Sequence, residues 1–251
     1  MQIRRFHTPD LTASSETLLL PPAEANHALR VLRLGKGDRL QLMNGRGIIA
    51  DAEIMDLGDS RRPKEAPCRI LSLREITPPA HPLTLCVAPP RGKAFDLVLK
   101  AAVELGISAI QPILCEYGVA RPEDASDSWQ ETLVAAMKQS SNPFLPLLLP
   151  PMEFSKALES SSGEAGLFGA SPAAEATAFQ RLTPQTANSI ARVWVGPEGG
   201  FAPQEEEALL KAGAIPVTLG RCVLRVETAV PALLGCIYGV ANLCNDGAEH
   251  A

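Results

Sequence analysis

Apolar positions change their spacing partway along the chain. Over residues 1–76 they come in short runs divided by turns. Ile3–His7, Thr17–Leu20, Asp38–Met43, Gly47–Met55 and Cys68–Ile76 read as strands. Asn44-Gly45, between the third and fourth, is a hairpin signal. One helix is predicted here, Ala23–Arg33. The set predicts a small β-barrel. Thr77-Pro78-Pro79-Ala80-His81-Pro82 is a stiff link, and it sets the expected domain boundary: 1–76, a linker at 77–82, then 83–251.

From Leu83 apolar runs alternate with helical stripes. Leu83–Ala88, Ala109–Cys115, Leu145–Leu149, Gly166–Phe168, Ala191–Val195 and Ile215–Thr218 are the expected strands. Helix Lys93–Leu105 places Phe95, Val98, Leu99 and Ala102 on one face, and Gly106 stops it. Lys100 and Glu104 are spaced as an i,i+4 pair. Ser128–Ser140 is a second helix. The last, roughly Ala229–Leu243, carries the stripe Val230, Leu233, Leu234, Ile237, Tyr238 and Ala241. That stripe needs a cover, either the sheet or a second subunit. Glu159–Gly163 and Thr183–Ser189 read as loops. The alternation predicts an α/β fold on a parallel sheet.

Charge divides the chain in the same place. Residues 1–75 hold 12 Lys and Arg against 10 Asp and Glu; the rest holds 11 against 18, and the whole is at −5. A nucleic-acid partner is therefore expected on the N-terminal part. Cys68, Cys86, Cys115, Cys222, Cys236 and Cys244 show no paired spacing, which suits buried free thiols in the cytoplasm. Met1–His7 lacks the apolar core of a signal peptide. Pro143–Phe154 is short and broken by four prolines, so no membrane span is expected. His7, His81 and His250 have no metal-ligand spacing, and no metal is expected.

Two glycine-bearing loops carry the candidate chemistry. Val195-Gly196-Pro197-Glu198-Gly199-Gly200-Phe201 follows one expected strand. Leu219-Gly220-Arg221-Cys222-Val223-Leu224-Arg225-Val226-Glu227-Thr228-Ala229 follows another. Glycine there admits positive φ and close ligand approach; a side chain at Gly199 is expected to intrude on the ligand. Pro203 and the acids Glu205, Glu206 and Glu207 open the next helix, and they would repel a phosphate. No lysine follows the glycines, and no GxGxxG follows an early strand. A neutral or cationic adenosine ligand fits better than a phosphorylated one. Arg225 offers five fixed donors, with Glu227 placed to orient it or to cap the helix. Asn26, Arg30 and Arg33, at i, i+4 and i+7, are expected on one helix face able to grip phosphates.

These residues resemble the bacterial family that methylates N3 of a uridine in 16S ribosomal RNA, a branch of the SPOUT methyltransferases. The resemblance runs from Arg5 to about Asn242. It rests on Asn26-His27 with Val31-Leu32-Arg33 and Gly37-Asp38, on Lys100 with Glu104-Leu105-Gly106, and on the blocks Gly196–Gly200 and Leu224–Ala229. It implies a PUA-like β-barrel followed by a SPOUT domain with a C-terminal trefoil knot. It implies a homodimer that acts on 16S rRNA in the small ribosomal subunit and uses S-adenosylmethionine. Cofactor contacts are expected at Leu167, Phe168, Gly169, Val195, Gly196, Gly199, Gly200, Leu219, Gly220, Val223, Leu224 and Arg225. Arg225, Glu227 and Glu198 are the catalytic candidates. Arg5, Asn26, Arg30 and Arg33 are those for RNA.

Three places depart from the family pattern. Lys138 stands where an acid is usual and Asn142 where an arginine is. Cys222 stands in another arginine's place. The segment Cys115–Arg121 is less basic than expected. The alternatives are a SPOUT methylase of another RNA nucleotide and a non-catalytic RNA-binding assembly factor. A nucleotide-binding dehydrogenase comes third.

Overall fold

A computed structural model describes residues 3–57, 64–171, 177–178 and 182–241. Cys244 and the expected end of the last helix at 242–243 lie outside the described residues. The chain divides into two compact units, Met1–Pro78 with Val134–Leu145, and Pro79–Leu133 with Pro146–Ala251.

The first unit is a five-stranded sheet. Its strands are β1 (Arg5–His7), β2 (Thr17–Leu19), β3 (Arg39–Met43), β4 (Ile48–Ile54) and β5 (Pro67–Glu75), in the order β1-β3-β4-β5-β2. Phe6, Leu11, Leu20, Leu40, Leu42, Ile54 and Cys68 fill its core. The β3–β4 hairpin turns on Asn44, whose Oδ1 accepts from the N–H groups of Arg46 and Ile48 at 2.7 and 3.0 Å. Gly47 is required in this turn. Its φ is +96°, and a Cβ there would lie 2.7 Å from the Ile76 carbonyl oxygen.

Residues 134–145 join this unit, where the sequence predicted one uninterrupted cut at the proline link. Backbone bonds from Gly47 N–H to Pro143 O and from Leu145 N–H to Gly45 O, at 3.0 and 2.9 Å, tie the segment to the hairpin. Such pairing between distant residues leaves no mark on local hydrophobic spacing.

The predicted helix Ala23–Arg33 is also different. α1 (Pro22–Asn26) runs into a π-helical turn, His27–Val31, closed by Leu32 N–H on His27 O at 3.0 Å. Arg33 lies past the helix with φ +56°. The wider turn breaks the i, i+4, i+7 register, so Asn26, Arg30 and Arg33 do not form one helical face. All three remain exposed.

The second unit is an α/β layer structure on a parallel sheet. Its strands are β6 (Thr84–Val87), β7 (Ala109–Leu114), β8 (Leu147–Leu148), β9 (Met152–Glu153), β10 (Gly166–Gly169), β11 (Thr177–Ala178), β12 (Arg192–Val195) and β13 (Ile215–Thr218). They run β11-β13-β10-β12-β6-β7-β8, with β9 also on β7, and every pairing is parallel. Leu85–Val87 and Val193–Val195 are wholly buried, as central parallel strands covered on both faces must be.

Helices α2 (Ala94–Glu104), α3 (Asp127–Ser140), α6 (Pro203–Lys211) and α7 (Val226–Val240) match expected segments. The stripe Phe95, Val98, Leu99 and Ala102 is buried. Lys100 and Glu104, both exposed, form no ion pair among those found in the described residues. α4 (Phe154–Glu159) was not predicted, and α5 (Pro184–Ser189) occupies an expected loop. Thr183 caps α5 by accepting from Thr186 N–H at 3.2 Å, with Pro184 in the first turn. On α7, Val230, Leu233, Leu234 and Ile237 are buried within the chain itself, against α2 and β12. The apolar stripe therefore has its cover without a second subunit. No described helix is long and apolar enough to cross a membrane.

Candidate functional site

Three loops leave the carboxyl ends of neighbouring strands and meet around one cavity of about 240 Å³. Gly169–Ser171 follows β10, Gly196–Phe201 follows β12, and Leu219–Leu224 follows β13. Parallel strands all present their carboxyl ends on one edge, and ligands of open α/β sheets collect there. The inner wall is apolar: Val195, Val217, Leu219, Val226, Ala229 and Leu233. Among the described residues, the charged ones in the lining are Glu198 and Glu206, and no lysine, arginine or histidine joins them there.

Each loop is shaped by its sequence. Gly200 N–H closes a turn on Pro197 O at 2.9 Å, and Gly200 has φ +77° with open space where a side chain would start. A Cβ on Gly196 would come 3.1 Å from Phe201 N, inside the loop's own curl. At α6, Oε2 of the buried Glu205 accepts from Ala202 N–H at 2.9 Å, so one of the three acids caps the helix. Thr228 and Ala229 N–H groups bond to Arg225 O at 2.9 and 2.7 Å, which makes Arg225 the residue before α7.

Gly169, Val195, Gly196, Gly199, Gly200, Leu219, Val223 and Leu224 line the cavity. Leu167 and Phe168 do not; both are buried in the core of the sheet. Gly220 and Arg225 are also outside the lining, and the Arg225 side chain is 84% exposed. Nη1 of Arg225 lies 4.0 Å from Oε1 of Glu227, a loose ion pair. Of the catalytic candidates, Glu198 alone lines the cavity. Gly199 keeps its place in the lining, but a side chain there would meet Cβ of Tyr117 at 3.2 Å rather than intrude on ligand space alone. Ser171, Glu206, Val217, Cys222 and Leu233 were missed as lining. Glu206 had a signal, as an acid in the first turn after a glycine loop, and so did Cys222, inside the second glycine-bearing loop.

The thiols are free where described. Burial pushes Cys68 and Cys86 up to about 11 and raises Cys115 further. Cys222 is exposed, against the expectation of buried cysteines.

In the first unit, Arg5 turns inward. Its Nε donates to Gln41 Oε1 at 3.1 Å and its Nη1 to Lys138 O at 3.4 Å. Asn142 Oδ1 accepts from Phe144 N–H at 3.0 Å. The described residues hold no cluster of three or more His, Cys, Asp or Glu placed for a metal.

Known proteins are similar to this chain in sequence and in fold. Ribosomal RNA small subunit methyltransferase E of Synechocystis is 29% identical over 217 residues, 85% of this chain and 70% of the relative. The protein of that name from Mycobacterium bovis is 29% identical over 92% of this chain and 90% of its own. A crystal structure of the Neisseria gonorrhoeae enzyme of the same name, bound to S-adenosylmethionine, superposes with a TM-score of 0.84. It is 29% identical and covers 96% of this chain and 98% of that one. The model of the RNA methyltransferase PUA domain matches residues 20–61, within the β-rich unit. The model of the RNA methyltransferase domain matches residues 77–238, more than half of the chain and every loop around the cavity, and the chain belongs to that family.

Proposed function

We propose that this chain transfers a methyl group from S-adenosylmethionine to N3 of a uridine in small-subunit ribosomal RNA. The observation that carries the reading is the chemistry of the cavity. An apolar wall suits adenine, and two carboxylates with no cation among the described lining residues favour a positively charged ligand over a phosphorylated one. The comparisons support the RNA class and the cofactor through the names of the relatives.

S-adenosylmethionine, when bound, supplies a methyl group on a positively charged sulfur. In this reading Gly196, Gly199 and Gly200 bring bare backbone to the ligand, and Val217, Leu219 and Leu233 exclude water. Arg225 sits beyond the lining and reaches a phosphate or the charge developing on the base. Glu227 orients it. Uridine N3 carries a proton, and removing it near neutral pH costs roughly 3 kcal/mol. In this reading Glu198, on the lining, accepts that proton. Alignment of the two reacting centres supplies much of the remaining acceleration.

The first unit is read as the RNA-binding domain, with Asn26, Arg30 and Arg33 on its surface. Arg5 supports that surface from inside rather than gripping RNA itself. The second unit is read as the SPOUT domain, with the trefoil knot at the cavity loops. A cytoplasmic location follows from a ribosomal substrate. The homodimer rests on the family resemblance.

Two measurements test the reading. S-adenosylhomocysteine should raise the melting temperature while NAD leaves it unchanged. Nucleoside mass spectrometry of small-subunit RNA, from cells with and without the protein, should differ by one N3-methyluridine. No thermal shift, or identical RNA, overturns it.

A further inference from the structure

The turn after β7, residues 115–118, is tied to the start of α6 at one point. Buried Glu205 accepts from Glu116 N–H through Oε1 and from Ala202 N–H through Oε2, both at 2.9 Å. The Gln204 side chain donates to the Glu116 carboxylate. Gly118 N–H closes the turn on Cys115 O at 3.0 Å. These bonds hold Tyr117 beside the glycine loop, its Cβ 3.2 Å from where a Gly199 side chain would begin. Gly199 is exposed and lines the cavity; Tyr117 is not itself in the lining and lies against Gly199 at its edge.

One edge of the Tyr117 ring lies by Gly199, with Cγ and Cδ2 3.8 Å from where a Cβ there would begin, and the rest is open. The residue is 46% exposed, and its hydroxyl has no hydrogen bond among the described residues. The loop after β13 brings two exposed apolar side chains into the lining itself, Val223 at 75% and Leu224 at 37%. Exposed apolar surface gathered at a pocket mouth marks a binding surface. A base that leaves an RNA stack must be received on an aromatic or apolar face.

We propose that Tyr117 is the platform on which the target base stacks as it enters the cavity mouth. The proposal rests on the methyl-transfer reading and adds the residue that seats the substrate. Glu205 is the positioning residue behind it.

The test uses the full chain with Tyr117→Ala and Tyr117→Phe. Methyl transfer is measured on small subunits that lack the modification. Affinity for oligouridylate is measured with S-adenosylhomocysteine present, and affinity for S-adenosylhomocysteine separately. Loss of one stacked base should lower transfer and oligouridylate affinity about 5- to 150-fold in Tyr117→Ala. S-adenosylhomocysteine affinity should stay within about twofold, and Tyr117→Phe should recover most of the loss. Transfer by Tyr117→Ala close to wild type overturns the platform. So does an equal fall in S-adenosylhomocysteine affinity, which would make Tyr117 a prop for the glycine loop. So does a Tyr117→Phe protein as impaired as Tyr117→Ala. If the wild type methylates no subunit RNA, the proposed function falls instead. Oligouridylate affinity then decides alone, and an unchanged value in Tyr117→Ala overturns the platform.

Discussion

Nζ of Lys138 lies 2.6 Å from Oε1 of Glu24, with the two side chains only 25% and 11% exposed. Glu24 sits on α1 and Lys138 near the end of α3, both within the first unit. The pair accounts for one departure from the family pattern: the base at 138 answers an acid at 24. Oε2 of Glu24 is buried without a hydrogen-bond partner, so Lys138 is its main compensation. We predict that Lys138→Met destabilises the first unit by about 2–4 kcal/mol, near the lower end for a buried charge left unpaired. Adding Glu24→Gln should restore most of it. Urea unfolding of the two variants checks this, and an additive double mutant would mean that the pair does not couple.

His7 gives the same unit a pH dependence. Burial lowers its pKa from 6.5, and Lys138 and Arg46 add to the lowering against the opposing pull of Glu24. The unfolded chain then binds a proton more readily than the folded one. Stability from this group is present above about pH 6.5 and is lost as pH falls below it. We predict that unfolding midpoints drop between pH 7 and pH 5, and that His7→Asn flattens the part of the drop nearest pH 6.5. Identical profiles for the two proteins would remove His7 as a cause.

Much of the fold was legible because it is local. The alternation of strands and helices, the two glycine loops and the stripe on α2 all follow from spacing along the chain. What was not legible depends on distant neighbours. The loop after β10 enters the cavity only because β10 lies between β12 and β13. The space where a Gly199 side chain would go looked like ligand space because Tyr117, which occupies it, is 82 residues earlier. The π turn at His27–Val31 has no residue signature that separates it from an α-helix. α5 is another case, since Thr183 followed by Pro184 is a helix start that the polar run concealed.

Cysteine chemistry reports on the cavity. Cys222 is exposed and lines it, whereas Cys68, Cys86 and Cys115 are buried thiols with raised pKa. Among the described cysteines Cys222 is the exposed one and Cys236 on α7 is half-buried, so Cys222 should be modified before the other four by a thiol reagent near pH 8. We predict that Cys222→Ser removes the fastest phase and that S-adenosylhomocysteine slows it in the wild type. A fast phase untouched by the ligand would place the ligand away from Cys222.

Arg225 tests the division between binding and chemistry. Its guanidinium is outside the cavity lining, so Arg225→Ala should keep S-adenosylhomocysteine affinity within a few fold. Transfer should fall by about 100-fold or more if the side chain stabilises transition-state charge. Titration calorimetry and transfer to small subunits separate the two effects. Equal loss in both would make Arg225 part of the cofactor site.

RNA affinity should come largely from the first unit, the more basic stretch by sequence. The π turn and the positive φ of Arg33 separate Arg30 and Arg33 from a common helical face, but both stay exposed. A phosphate contact needs reach and charge more than helical register. We predict that Arg30→Ala with Arg33→Ala weakens RNA binding and lowers the slope of log affinity against log salt. Two lost contacts amount to about 1.4–1.8 in that slope. S-adenosylhomocysteine affinity should not change, because its cavity belongs to the other unit. Filter binding across a salt series decides it: equal slopes for mutant and wild type would mean that these arginines touch no phosphate.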